Sequence, residues 1–104
     1  MKYVLPVTLL SLLTFNVSLA EPVSGERLYT DKCAICHAAG ELGTMALSRR
    51  LGNERAILNE RTDLPAEYVR HVVRHGLNAM PPITRGDVTD QELDLIVEFL
   101  TAPH

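Results

Sequence analysis

The run Cys33-Ala34-Ile35-Cys36-His37 constrains this chain more than any other stretch. Two cysteines separated by two residues, with a histidine directly after the second, form the attachment pattern for c-type haem. The thiols can add to the two vinyl groups of a porphyrin as thioethers, and the histidine then lies under the ring, where an imidazole nitrogen can reach the iron. We therefore predict covalent attachment at Cys33 and Cys36, with His37 as the proximal iron ligand.

Cysteines at this spacing also occur in redox-active dithiols and in zinc sites. A zinc site would need two more ligands at short spacing, and the chain has no third cysteine. A thioredoxin-like dithiol lies between a strand and a helix, and the sequence has no convincing strand pattern. Neither alternative requires the adjacent histidine, so haem attachment is favoured.

The first 20 residues have the pattern of a secretory signal peptide. Lys2 gives a positive start, the stretch from Val4 to Leu13 is largely apolar, and Ser18-Leu19-Ala20 presents small residues where a signal peptidase reads them. An uncleaved anchor is less well supported, because a proline and several hydroxyl residues interrupt a segment that barely spans a bilayer. We expect cleavage after Ala20, export to the periplasm, and one mature domain over residues 21–104 without a membrane span.

Export and charge narrow the function further. In an oxidising compartment the cysteines could pair, but so short a loop would stabilise the fold little. A covalent porphyrin instead gives a small domain a large apolar surface to fold around. The formal charge is −3, and losing Lys2 with the leader makes it more negative. Nucleic acid is therefore excluded as a partner, whereas charge can orient docking on a protein.

The sequence predicts an all-α domain, with its clearest helices at the two ends of the mature chain. Ser24 is a good N-cap for a first helix that leads towards Cys33. Thr89 to Glu92 forms a capping box for the last helix. The buried stripe of that helix is predicted to contain Leu93, Ile96, Val97 and Leu100.

The middle of the chain predicts one further helix and several turns. Pro65 suits a first helical position, and Gly76 suits the position just beyond the end of the same helix. The glycines of Ala38–Thr44 predict a loop, and a short helix or turn is expected from about Glu54 to Asn59. Leu77–Ile83 is predicted to be an irregular strap stiffened by prolines.

The sixth iron ligand has several candidates: Met45, Met80, His71, His75 and His104. Met80 is favoured, because Pro81 and Pro82 restrict the backbone around it and its side chain is not committed to a helix face. Met45 fits a gap-filling role in the core. His71 and His75 are an i, i+4 pair that could chelate a metal, but no carboxylate at fixed spacing supports such a site.

A histidine and a methionine on the iron would leave no open position for oxygen or a substrate. Thioether ligation favours ferrous iron and raises the potential relative to bis-histidine ligation. The expected function is single-electron transfer without bond chemistry, so the chain is not expected to be an enzyme.

Three stretches together resemble a small bacterial class I cytochrome c: Cys33–His37, Ala79–Pro82 and Ile96–Leu100. The resemblance implies a fold of three to four short helices wrapped around one covalently attached haem c, with the first and last helices crossing near the cysteines. It places Gly25 and Tyr29 against Ile96 and Phe99, and it carries both iron ligands over unchanged.

A narrower match covers about residues 61–100. The segments Asp63–Val69, Val72–Gly76 and Ala79–Pro81 resemble the cytochrome subunits of p-cresol methylhydroxylase and eugenol hydroxylase-type flavocytochromes. This implies that the chain accepts electrons from an FAD-containing dehydrogenase subunit that oxidises para-substituted phenols, and that it passes them to a downstream acceptor. The alternative is a free soluble periplasmic cytochrome that feeds a terminal oxidase or reductase.

One segment departs from the cytochrome pattern. Many members of the family carry Gly-Pro after the haem motif, and the proline carbonyl accepts the ring N–H of the proximal histidine. Here the corresponding residues are Gly43-Thr44-Met45-Ala46. Any residue can supply a carbonyl, so the acceptor for His37 is left open.

Overall fold

Five α-helices form the framework of the described part of the chain, which in this computed structural model comprises residues 1–4 and 14–104. They are α1 (Gly25–Lys32), α2 (Ala34–His37), α3 (Leu42–Leu51), α4 (Ala66–His75) and α5 (Asp90–Thr101), with 3-10 turns at Asn53–Arg55 and Leu58–Glu60. Within these described residues there is no β-strand, which confirms the all-α prediction. Most of the apolar core of the predicted leader, residues 5–13, lies outside the described residues.

Helices α1 and α5 cross at close range. A Cβ added to Gly25 would lie 2.8 Å from the carbonyl carbon of Leu95 and 3.0 Å from Cβ of Phe99. One turn further along α1, the rings of Tyr29 and Phe99 pack with centroids 5.5 Å apart. The buried cluster around this crossing consists of Leu28, Tyr29, Val69, Val88, Leu93, Ile96, Val97 and Leu100.

The predicted helix starts are confirmed at both ends of the domain. The Ser24 hydroxyl accepts a hydrogen bond from the backbone N–H of Arg27 at 3.1 Å. At α5, the Thr89 hydroxyl accepts from the Glu92 N–H at 3.2 Å, and the Glu92 carboxylate accepts from the Thr89 N–H at 2.8 Å. These reciprocal bonds satisfy amide groups that have no partner within the helix.

The middle of the chain is more helical than the sequence predicted. The loop expected over Ala38–Thr44 is wrong in its second half, because α3 begins at Leu42. Gly43 is a packing position: a Cβ there would lie 2.5 Å from the Cys36 carbonyl oxygen and 3.3 Å from Cε1 of His37. Helix α4 begins one residue later than expected, with Pro65 at its N-cap.

None of the helices in the described part of the chain has the length and apolar character that a membrane crossing requires.

Candidate functional site

One cavity of about 400 Å³ lies between the helices and the strap. Its wall includes all four residues that the sequence predicted as haem attachment points or ligands: Cys33, Cys36, His37 and Met80. Most of the remaining lining is aliphatic or aromatic, supplied by α3, α4, α5 and the strap. The fold therefore brings together residues that are up to 47 positions apart in the sequence.

The two cysteines and His37 occupy two successive helical turns. The Cys33 N–H donates to the Tyr29 carbonyl at 2.9 Å, and the His37 N–H donates to the Cys33 carbonyl at 3.0 Å. Residues four apart in a helix share a face, which places Cys33 and His37 on the same side. Burial, together with the charge of Cys36, raises the pKa of the Cys33 thiol to about 11. Reactive dithiols require a lowered thiol pKa, so the site does not suit a redox-active dithiol.

His37 has a half-buried imidazole whose surroundings favour the neutral form. Burial lowers its pKa below the usual value, and the neutral form is the one that binds metals. Its Nδ1 atom is buried and has no hydrogen-bond partner among the described residues. Thr44 stands where the family's proline would be, and its hydroxyl donates to the Ala38 carbonyl at 2.7 Å. The missing proline thus coincides with an unpaired Nδ1.

Met80 closes a tight turn that is fixed at both ends. The N–H of Leu77 donates to the Met80 carbonyl at 3.1 Å, and the N–H of Met80 donates to the Leu77 carbonyl at 3.0 Å. Asn78, inside the turn, adopts φ 54, in the left-handed region that asparagine tolerates. Before the turn, Gly76 has φ 76, and a Cβ on it would lie 2.6 Å from the Met80 carbonyl oxygen.

Arg74 ties the segment after Met80 to α4. Its Nη1 donates to the carbonyls of Ile83 at 3.1 Å and Val88 at 3.0 Å, while Nη2 pairs with Asp90 at 2.8 Å. The Ile83 N–H also donates to the Val73 carbonyl at 2.8 Å. The strap is therefore anchored through several backbone groups, which limits the movement of Met80.

The other ligand candidates lie away from this wall. Met45 lines a separate, open groove of about 410 Å³. The rings of His71 and His75 stack at 4.2 Å on an exposed face of α4, and His104 is exposed at the end of the chain. Within the described residues, no cluster of three or more His, Cys, Asp or Glu side chains could hold a metal ion.

Sequence reasoning missed several residues of the cavity wall, notably Tyr29, Arg50, Arg61 and Tyr68. The sequence predicts Tyr29 at the helix crossing but not in the cavity wall. Burial, together with the nearby Cys33, raises the pKa of Tyr29 to about 12. Arg61 follows a 3-10 turn and belongs to no periodic pattern, so nothing in the local sequence indicates that its side chain is enclosed.

The lining fits a haem. A porphyrin is a large apolar ring, and the cavity is predominantly apolar. The cavity also presents two thiols, one neutral imidazole and one thioether, which are established haem attachments and iron ligands.

Comparison with known proteins gives three results. Residues 20–100 match the protein family described as cytochrome c oxidase, cbb3-type, subunit III. The cytochrome c subunit of the hydroxylating 4-cresol dehydrogenase of Pseudomonas putida is 30% identical over 79 residues, which are 76% of this chain and 59% of that relative. The chain therefore aligns with about three fifths of the length of this relative.

Two solved structures of p-cresol methylhydroxylase, one with substrate bound and one at 2.5 Å resolution, each contain a similar chain. Both matches have a TM-score of 0.55 and 30% identity, and both cover 78% of this chain. They cover 95% and 94% of the matched chains.

Proposed function

Because the chain belongs to the cytochrome c family and has the class I cytochrome c fold, we propose that it is an exported electron carrier with one covalent haem. It receives single electrons from an FAD-containing dehydrogenase subunit and passes them to a further acceptor. The observation that carries the proposal is the single cavity wall shared by Cys33, Cys36, His37 and Met80.

In this proposal the four residues have distinct roles. Cys33 and Cys36 would hold the haem through thioethers, and His37 and Met80 would bind its iron. When bound, the haem supplies one-electron redox chemistry. With His37 and Met80 both bound, no position on the iron would be open to oxygen or other small molecules, and the methionine would favour a high potential. The apolar wall keeps water away, and the anchored strap keeps Met80 in place.

The proposed donor is a flavoprotein that oxidises a para-substituted phenol. The support is the similarity to the cytochrome subunit of 4-cresol dehydrogenase and to chains of p-cresol methylhydroxylase. A docking surface adjacent to the cavity is consistent with it: Leu42 lines the cavity, Ile35 lies between the two cysteines, and both are 76% exposed. Large exposed apolar side chains beside a redox site suit a protein contact.

A second function is supported by the family match. The matching family is described as a subunit of a cytochrome c oxidase, which favours a free periplasmic cytochrome that delivers electrons to a terminal oxidase or reductase. Both functions share the haem site and export to the periplasm, with cleavage of the leader after Ala20, and they differ in the partner.

Purification from the native host separates the two functions. We expect the haem-containing chain to elute with a flavin-containing subunit through successive columns at low and high salt, with flavin and haem in constant ratio. A haem protein that elutes alone throughout, and whose reduced form is oxidised by membranes that contain a terminal oxidase, would contradict the subunit role and support the second function.

A further inference from the structure

A pair of histidines outside the cavity has a geometry suited to a metal ion. His71 and His75 lie one turn apart on α4, both are exposed, and neither lines the cavity. Their rings stack with centroids 4.2 Å apart and with planes inclined by 19° to each other. Side chains four residues apart share a helix face, and two histidines at that spacing can bind one ion. The haem site proposed above uses neither of them.

The structure adds an observation about His75 that the sequence does not contain. Its Nδ1 atom lies 2.9 Å from the carbonyl oxygen of His71. A carbonyl oxygen can only accept a hydrogen bond, so Nδ1 carries the proton, and Nε2 of the neutral ring keeps a free lone pair. A metal-binding histidine commonly donates its other ring N–H to a carbonyl or a carboxylate, which fixes the tautomer and the orientation of the ring. His75 thus has both the tautomer and the anchoring bond of a metal ligand.

The arginines that precede the two histidines are already neutralised. Arg70 pairs with Glu67 at 2.8 Å and with Asp94 at 3.1 Å. Arg74 is 13% exposed and pairs with Asp90 at 2.8 Å. Both guanidinium groups are therefore paired with carboxylates, and their repulsion of a cation bound beside them is offset.

The position of the pair on α4 also favours a cation. His75 is the last residue of this helix, and the carbonyl groups at a helix C-terminus carry a partial negative charge that stabilises a nearby cation. No third His, Cys, Asp or Glu side chain of the described residues joins the two histidines in a metal-binding cluster. The protein thus supplies two imidazole nitrogens, and water would fill the remaining positions on the ion.

We propose that His71 and His75 together bind one divalent transition-metal ion, with Cu²⁺ bound most tightly. Imidazole suits copper, nickel and zinc, whereas calcium and magnesium prefer oxygen ligands. For a given set of nitrogen ligands, the affinity rises from nickel to copper and falls again at zinc. An ion held by both side chains links two turns of α4, so it stabilises the folded protein. The site needs no haem, and the inference is independent of the proposed electron-transfer function.

The direct test is a titration of the oxidised holoprotein with Cu²⁺, followed by calorimetry and by electron paramagnetic resonance of the bound ion. We expect one Cu²⁺ per chain at the pair, with hyperfine splitting from two imidazole nitrogens. His71→Ala and His75→Ala should each raise the Kd for Cu²⁺ about tenfold or more, as when a group that supports a metal site is lost. His104→Ala is the control, because His104 is an exposed histidine outside the pair, and its Kd should equal that of the wild type. All four proteins keep both cysteines, so a difference between them cannot come from metal bound to thiols.

Zn²⁺, which has no redox chemistry, tests whether the ion links the two turns of α4. Saturating Zn²⁺ should raise the urea midpoint of the wild type and of His104→Ala, because an ion that binds the folded state more tightly stabilises it. The midpoints of His71→Ala and His75→Ala should stay unchanged. Equal Cu²⁺ affinities in the wild type and in both single variants would overturn the inference. A loss of affinity in only one of the two variants would also contradict it, because the proposed site requires both rings.

Discussion

The backbones of Gly25 and Leu95 touch where α1 crosses α5: a Cβ on Gly25 would overlap the Leu95 carbonyl oxygen and lie 2.8 Å from its carbon. Only a residue without a side chain allows this approach. The crossing fixes α1, and α1 leads directly into Cys33. Helix packing at Gly25 thus determines where the haem attachment motif lies.

Gly25→Ala should therefore destabilise the holoprotein strongly. The obstacle is backbone rather than a flexible side chain, so we expect a loss of about 2–3 kcal/mol in the free energy of unfolding, at the upper end for overpacking. Gly86→Ala is the matched control, because a Cβ there would meet only the Thr84 hydroxyl at 3.5 Å. Its effect should stay within about 0.5 kcal/mol. Equal urea midpoints for the two variants would contradict this view of the crossing.

Met80→Ala should keep the covalent haem but lose the high potential. Removing the thioether opens one axial position, so the reduced variant should bind carbon monoxide at neutral pH. Its equilibrium constant for reduction should fall at least tenfold, about 59 mV or more for one electron. Met45→Ala is the control, because Met45 lies in the separate groove. Carbon monoxide binding by Met45→Ala and not by Met80→Ala would reverse the ligand assignment.

Arg74→Gln should loosen the strap. Arg74 is 13% exposed, and its loss leaves the carbonyls of Ile83 and Val88 without their donor. We expect the free energy of unfolding to fall by about 2 kcal/mol, as for unsatisfied buried acceptors, and added imidazole to displace Met80 more readily. Urea denaturation measures the change in unfolding free energy, and optical titration of the oxidised protein with imidazole measures the displacement of Met80. Arg70→Gln, which breaks only surface ion pairs, should cost less than about 1 kcal/mol.

The stability contributed by Asp90 should disappear in acid. Hydrogen bonds from Arg85, and then from Arg74, lower the pKa of Asp90 in the folded protein. A lowered folded-state pKa gives stability that is present above the unfolded-state pKa of about 3.9 and is lost as the pH falls towards the folded value. The difference in urea midpoint between wild type and Asp90→Asn should thus be constant from pH 7 to pH 5 and shrink below it. A urea-midpoint difference between the two proteins that grows as the pH falls would contradict the lowered pKa of Asp90.

Ile35→Glu should weaken association with the proposed flavoprotein subunit without changing the optical spectrum. Ile35 lies between the two cysteines and is 76% exposed, so a carboxylate there adds a desolvation cost to any contact that covers it. We expect at least a tenfold rise in Kd by surface-immobilised binding. Val23→Glu is the control, at a 59% exposed position away from the cavity. Unchanged binding by Ile35→Glu would place the docking surface elsewhere.

The parts of the fold that local chemistry determines were predictable. The Ser24 cap and the Thr89–Glu92 capping box depend on residues within one helical turn, and both are confirmed. The stripe Leu93, Ile96, Val97 and Leu100 is buried as its periodicity predicted. Met80 lines the same cavity as His37, as expected for a residue held in a proline-stiffened turn between two helices.

Long-range contacts were not predictable. The sequence predicted Gly43 in a loop, but it lies inside α3. The residue is a glycine because the Cys36 carbonyl oxygen lies too close for a side chain. Which distant backbone group will pack against a glycine cannot be inferred from the sequence. The sequence likewise indicated no role for Arg61, whose side chain is only 9% exposed, because its enclosure depends on residues of the cavity that are distant along the chain.

The central claim is that Cys33 and Cys36 carry one covalent haem. The most direct measurement is a pyridine haemochrome assay, with the intact mass under denaturing conditions, on protein expressed in the periplasm of a host that matures c-type cytochromes. We predict one haem per chain that survives denaturation, and none in the Cys33→Ser/Cys36→Ser double variant. A wild-type chain that has the mass of the polypeptide alone, or that releases its haem on denaturation, would contradict the account.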